Sequence, residues 1–297
     1  MREIEPLTQL WLGAWEVMQE RSDELFRLLS HDCKRLDLEA IHDLRVSSRR
    51  LREGLSLFAP CFPKRHLTAL RSQMKRLTRT LGTIRNIDEA LHFFTLLAME
   101  LSPPVNSAAA KLVHTLQAQR KKEQAALKKN LKAILPSDLR VLFEHTCNHP
   151  LIFITRGVDP LQPVVDFLKE SIAKREAPLQ ELYPLACDPE NFTAQHRLRI
   201  AVKRFRYRME FFSCLTVPGW GYAELYTRAK GFHDILGQLH DLDVFATLAG
   251  KMVADPLAQS AMQDHITQKR QALYAEFLRQ DALCPVISLG ERLRGLL

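Results

Sequence analysis

Two short segments of this chain gather cations where they could grip an anion. Residues 41–58 read IHDLRVSSRRLREGLSLF, and residues 195–212 read QHRLRIAVKRFRYRMEFF. Set on a helix at about 100° per residue, Arg45, Arg49 and Arg52 fall within roughly 80° of His42, while Leu44, Leu51, Leu55 and Phe58 gather on the opposite side. In the second segment His196, Arg199, Lys203 and Arg206 form the same stripe, opposed by Leu198, Phe205, Met209 and Phe212; Arg50 and Arg204 flank the two stripes. The planar fork of arginine donates two parallel hydrogen bonds to a phosphate. Histidine donates when protonated or when its tautomer permits. The chemistry placed here is recognition of a phosphate-bearing anion.

Like charges stacked at these spacings repel by a few tenths of a kcal/mol per neighbouring pair. Only Asp43 and Glu53 in one segment, and Glu210 in the other, are acidic. A single basic face is read most simply as a solvated one. The pattern, however, occurs twice: His42, Leu44, Arg45, Arg49, Arg50, Arg52 and Phe58 match His196, Leu198, Arg199, Lys203, Arg204, Arg206 and Phe212, each 154 residues on. A second match follows in the same order, LGTIRNID at 81–88 with LGQLHDLD at 236–243, 155 residues on. Ordered matches of this kind point to an internal duplication. The expected architecture is all-α, with helical halves at 1–150 and 151–297 related by a pseudo-twofold axis. A duplicated structural ion-pair network is the competing explanation, because neighbouring helices hold acids such as Asp88 and Asp243.

The elements that must position these stripes are helices. Glycine is scarce, at 11 of 297 residues, and Pro and Gly fall mainly between long periodic stretches. The periodicity predicts helices at about 5–30, 38–58, 64–82, 86–101, 105–132, 137–147, 161–177, 191–214, 219–237, 241–253, 256–280 and 285–296. Residues 148–160, NHPLIFITRGVDP, read as an apolar linker between the halves, with a short strand as the alternative, and 178–190, with Pro178, Pro184 and Pro189, as a loop. Asp88 and Asp243 are expected in the first turn of the next helix, opposing its dipole. Trp11 and Trp15 are expected in the core, and Trp220 in the core or at its rim.

Bulk composition agrees with an anion partner and excludes several classes. Apolar residues make up 46% of the chain, enough for a sizeable core, and the net charge is +8. Six scattered cysteines form no CxxC pair and read as reduced core residues. The start, MREIEPLTQLW, lacks the basic-then-apolar order of a signal peptide, and no apolar run of membrane-spanning length exists, so a cytoplasmic address and no membrane partner are expected.

The paired segments H-x-L-R-[VI]-x-x-[RK]-R-[LF]-R and L-G-x-[IL]-x-x-[IL]-D resemble those of the CHAD family, the conserved-histidine α-helical domain, over nearly the whole chain. The resemblance implies two four-helix bundles with internal pseudo-symmetry and a basic central groove that binds inorganic polyphosphate. It also implies that some members reside at polyphosphate granules. It implicates His42, Arg45, Arg49, Arg50 and Arg52, and His196, Arg199, Lys203, Arg204 and Arg206. Basic residues on the helix before each LG segment would be Lys75, Arg76 and Arg79 in the first half and Lys230 in the second. The family often reads R-D-x-D after LG, where this chain has Arg85-Asn86-Ile87-Asp88 and His240-Asp241-Leu242-Asp243. The groove charge is therefore uneven.

Other chemistries are weaker. Four His-Asp dipeptides, at 31, 42, 233 and 240, bring to mind a metal-dependent HD-type phosphohydrolase, but His42 sits among arginines that repel a divalent cation. A nucleic-acid-binding role is a second alternative, yet the stripes lack interleaved aromatics for base stacking. Residues 120–132, RKKEQAALKKNLK, read as a solvated helix face, with an auxiliary anion surface as the alternative. No P-loop, HExxH or GxSxG pattern is present. The expectation is a non-catalytic polyphosphate-binding protein with no cofactor and no metal site.

Overall fold

A helical period runs through nearly every apolar stretch, and the computed structural model is helical accordingly. It describes residues 4–32, 36–103, 105–133, 136–148, 157–213, 215 and 221–296, with backbone alone at 31, 32, 132, 133, 136 and 137. Among these residues the order is α1 (Leu10–Asp32), α2 (Leu38–Leu57), α3 (Lys64–Glu100), α4 (Val105–Ala133), α5 (Pro136–Cys147), α6 (Val164–Ala186), α7 (Phe192–Phe212), α8 (Tyr222–Met252), α9 (Pro256–Leu283) and α10 (Leu289–Gly295). Short 3-10 turns occupy Ala59–Cys61 and Val286–Ser288. No strand occurs among the described residues, where isolated bridges pair Ile4 with Leu215 and Gln9 with Pro163. The all-α expectation holds. No described helix is long and apolar enough to cross a membrane.

The two cationic segments are started by equivalent caps. Asp37 Oδ1 accepts the Ala40 amide at 2.8 Å and opens α2. Asn191 Oδ1 accepts the Ala194 amide at 3.0 Å and opens α7. Each cap satisfies an amide that the first turn leaves unpaired. Because the caps are themselves 154 residues apart, both stripes begin in the same phase. The opposite faces are buried as expected: Leu44, Leu51 and Leu55 on α2 with Phe58 at its C-cap, and Leu198, Phe205, Met209 and Phe212 on α7. Burying such side chains is worth about 1.5–3 kcal/mol each, so it outweighs the few tenths lost to each like-charge pair.

Several expected boundaries are corrected. The chain does not break after residue 82 or after residue 237; α3 and α8 run straight through both glycines. Leu77, Leu81, Ile84 and Ile87 continue the buried stripe across Gly82, as Leu236, Leu239 and Leu242 do across Gly237. One helical glycine costs only about 1 kcal/mol, which that stripe overrides. Asp88 and Asp243 are consequently mid-helix and do not oppose a helix dipole. The expected loop at 178–190 is also helical up to Ala186, with Pro178 and Pro184 inside α6. There Ile172, Leu179, Leu182 and Ala186 are buried, and packing prevails over two missing amide donors. Trp11 and Trp15 lie half-buried rather than in the core, and Trp11 Nε1 donates to Gln9 Oε1. Cys61, Cys147 and Cys284 are buried free thiols and Cys187 is half-buried. Cys33, Cys214, Trp220 and most of the expected linker at 148–160 lie outside the described residues.

Contacts divide the chain into two compact units. The first comprises Met1–Glu89, Ala118–Leu168 and Phe211–Thr216; the second comprises Ala90–Gln117, Lys169–Glu210 and Val217–Leu297. These units interleave along the chain, so compactness and the 1–150 and 151–297 halves are separate questions. In the first unit α1 packs on α2 and α5, and Phe58 stacks on Phe167 and meets Phe211 edge-on. In the second α8 packs on α9, and Phe94, Leu112, Leu116, Phe245, Met262 and Ile266 share one apolar cluster.

Candidate anion-binding faces

In the first unit, α2 presents His42 exposed and Arg45, Arg49, Arg50 and Arg52 half-buried. The Arg45 guanidinium lies over Gly82 of α3, its Nε 4.0 Å from where a Cβ would stand. Lys75, Arg76 and Arg79 are exposed on α3, and Lys75 and Arg79 precede Gly82 at helical spacing on the same face. Arg50 Nη1 is 3.8 Å from Glu24, Arg52 Nη2 is 3.5 Å from Glu53, and Arg85 pairs with Glu89 at 3.0 Å. No ion pair holds Arg45 among the described residues. The structure therefore brings Arg45 of α2 against α3 at Gly82, whereas Arg50 and Arg52 stand beside Glu24 and Glu53.

The second unit repeats this geometry with different chemistry. Arg199 Nε lies 4.0 Å from the Cβ position of Gly237, and it makes no hydrogen bond although it is sealed from solvent. His196, Arg199 and Lys203 are half-buried, and Arg204 and Lys230 are exposed. Arg206 differs. It is buried, donates from Nη1 to Glu210 Oε1 at 2.9 Å and to the Tyr226 hydroxyl at 2.6 Å, and lies over the Tyr207 ring. Its guanidinium is thus engaged inside the protein. On α8 the position matching Arg79 is Asp234, and the position matching Arg85 is His240.

His240 is the residue that sequence reasoning left aside. Its Nδ1 faces His196 Nδ1 at 3.0 Å, with ring centroids 4.2 Å apart. Burial, then the Arg199, His196 and Lys203 charges, push the His240 imidazole down to about 4. His196 is lowered too, by burial first and then by Arg199 and Lys203, against an opposing pull from Asp243. The legible signal was positional: His240 and Arg85 stand at the same place after each LG pair.

Two acids of the neighbouring helices that could have neutralised the stripes are held elsewhere. Asp88 Oδ1 receives Arg120 Nε of α4 at 2.5 Å, and Asp243 Oδ1 receives Arg270 Nε of α9 at 2.7 Å. Arg270 is further fixed by Gln195 Oε1 at 2.5 Å and by the Phe192 ring, 3.9 Å below its guanidinium. A duplicated ion-pair network therefore exists, but its cations come from α4 and α9. Its sequence signal is an arginine set into an apolar stripe, Leu116-Arg120-Leu127 and Ile266-Arg270-Phe277. The His-Asp dipeptides do not converge: His42 and Asp43 are exposed, His233 contacts its own neighbour Asp234 at 3.1 Å, and His240 faces His196. Among the described residues no three His, Cys, Asp or Glu side chains gather as metal ligands would.

Fold and faces together define a helical protein in which two equivalent helices carry cationic stripes, each with an Arg–Asp pair in the same unit. The family model of the CHAD domain matches residues 16–250, and the chain belongs to that family. Two solved structures share the fold. The CHAD domain from the plant Ricinus communis is 22% identical, with a TM-score of 0.65, over 98% of this chain and 95% of its own. PptA from Streptomyces chartreusis is 16% identical, with a TM-score of 0.71, over 92% of this chain and 99% of its own. No curated protein sequence matches this chain.

Proposed function

We propose that this protein binds inorganic polyphosphate through the α2 and α7 stripes and does not turn it over. The observation that carries this reading is the matched placement of Arg45 over Gly82 and Arg199 over Gly237, both at 4.0 Å, while Asp88 and Asp243 are taken by Arg120 and Arg270. Arg45 and Arg199 are thereby left without an ion pair among the described residues. A linear polyanion satisfies them through many phosphate contacts and the release of condensed counterions. Membership of the CHAD family supports phosphate chains as the anion. The corresponding cellular role is residence in the cytoplasm at polyphosphate granules. The recurrence of caps, stripes, glycines and Arg–Asp pairs supports descent by internal duplication.

The experiment is competition between long-chain polyphosphate and duplex DNA for the purified protein at equal salt. Preferential retention of polyphosphate, with no orthophosphate released, is expected. Equal retention of both would favour a general polyanion or nucleic-acid role. Chelator-sensitive phosphate release that is also lost in Asp43→Ala would favour the phosphohydrolase reading.

A further inference from the structure

We propose that His196 and His240 act as one unit in the second cationic face, taking up a single proton when a phosphate chain binds. The inference rests on the proposed polyphosphate binding and adds His240 to the residues that contact the ligand. It starts from the two Nδ1 atoms facing at 3.0 Å. At that distance one ring must donate and the other accept. In the neutral pair, the donating ring has an unprotonated Nε2 and the accepting ring carries its proton on Nε2. The pair thus offers one donor and one acceptor. A phosphate oxygen can use only the donor.

One added proton changes this. Placed on the free Nε2 of the donating ring, it leaves the Nδ1–H···Nδ1 bond intact and makes both Nε2 atoms donors, with a net charge of +1. A second proton would set two N–H groups and two positive charges against each other at 3.0 Å, so uptake stops at one. Both rings are half-buried, so each keeps part of its surface open to solvent.

The surrounding charges keep the pair neutral until an anion arrives. Arg199 and Lys203 face it from α7 and disfavour the added proton. Asp243 faces it from α8 but is bound to Arg270 of α9, which weakens its pull. A phosphate seated against Arg199 and Lys203 cancels the repulsion and supplies acceptors for both Nε2 atoms. The first unit has Arg85 where the second has His240, so its charge is permanent there and the second unit's titrates.

The sign follows from linkage. Burial and the Arg199 and Lys203 charges lower the proton affinity of the free pair, and a bound phosphate that offsets those charges raises it again, so binding tightens as pH falls. Between pH 8 and pH 5.5 this strengthens binding by up to about tenfold, with at most about one proton taken up at pH 5.5. The experiment is calorimetric titration with long-chain polyphosphate at pH 8 and pH 5.5. The pH 5.5 titration is repeated in a second buffer of different ionisation heat. His240→Arg and His196→Gln are measured beside the wild type, each checked for folding by circular dichroism.

Wild type is expected to gain several-fold more affinity on acidification than either variant, and to take up more protons on binding. His240→Arg is also expected to bind more tightly than wild type at pH 8, because its charge no longer titrates. The same pH profile and proton uptake in wild type and a folded variant would overturn the paired-histidine inference while leaving polyphosphate binding intact. No binding by wild type at either pH would overturn both.

Discussion

Arginine has three distinct fates in this chain. Arg45 and Arg199 lie over glycines with no ion pair among the described residues. Arg206 is committed to Glu210 and Tyr226. Arg120 and Arg270 hold buried or half-buried aspartates. Removing one partner of a buried pair leaves an uncompensated charge and costs about 3–5 kcal/mol, toward the lower end here because Arg120 and Asp243 are partly exposed. Arg120→Met and Arg270→Met are therefore expected to lower the urea-unfolding free energy by about 3 kcal/mol. Arg45→Met keeps the apolar stem and should change stability by about 0.5 kcal/mol at most, with its cost appearing in polyphosphate affinity. A large stability loss in Arg45→Met, or none in Arg120→Met, would reverse these assignments. The Arg45 type was legible from the stripe. The Arg120 type was not, because an arginine between Leu116 and Leu127 declares its partner only across 32 residues of chain.

At the scale of the element, start signals were more readable than stop signals. Asp37 and Asn191 cap their helices as short polar acceptors do. Gly82, Gly237, Pro178 and Pro184 have local propensities that argue for breaks, yet each lies inside a helix. The buried leucines around them determine the outcome. Pro184 is exposed and provides the test. Pro184→Ala restores an amide donor to α6 and removes no buried contact, so it should stabilise the protein by about 1–3 kcal/mol. A midpoint unchanged or lowered in thermal and urea unfolding would mean that α6 is shaped around its prolines.

For the whole molecule, the question is whether both cationic faces serve one ligand. A chain long enough to engage both gains effective concentration for its second contact. Arg45→Ala with Arg49→Ala, and separately Arg199→Ala with Lys203→Ala, should each weaken long-chain polyphosphate binding strongly. Each should also flatten its salt dependence by about 2 in log–log slope. Short phosphates, which engage one face, should bind weakly to the intact protein. If a folded double mutant binds long chains like wild type, the stripe in that unit is a relic of duplication and the ligand uses the other alone.

The sequence by itself determined the all-helical class, the phase of the two stripes and their buried backs. Those properties depend on neighbours three, four and seven residues away, and a helical period writes them directly into the chain. Tertiary structure alone decided that Asp88 and Asp243 belong to Arg120 and Arg270, that Arg206 turns inward, and that His240 meets His196 across 44 residues. Charge and hydrogen-bond partners depend on distances of a few ångströms between distant parts of the chain. Packing sets those distances, and residue spacing alone does not encode them.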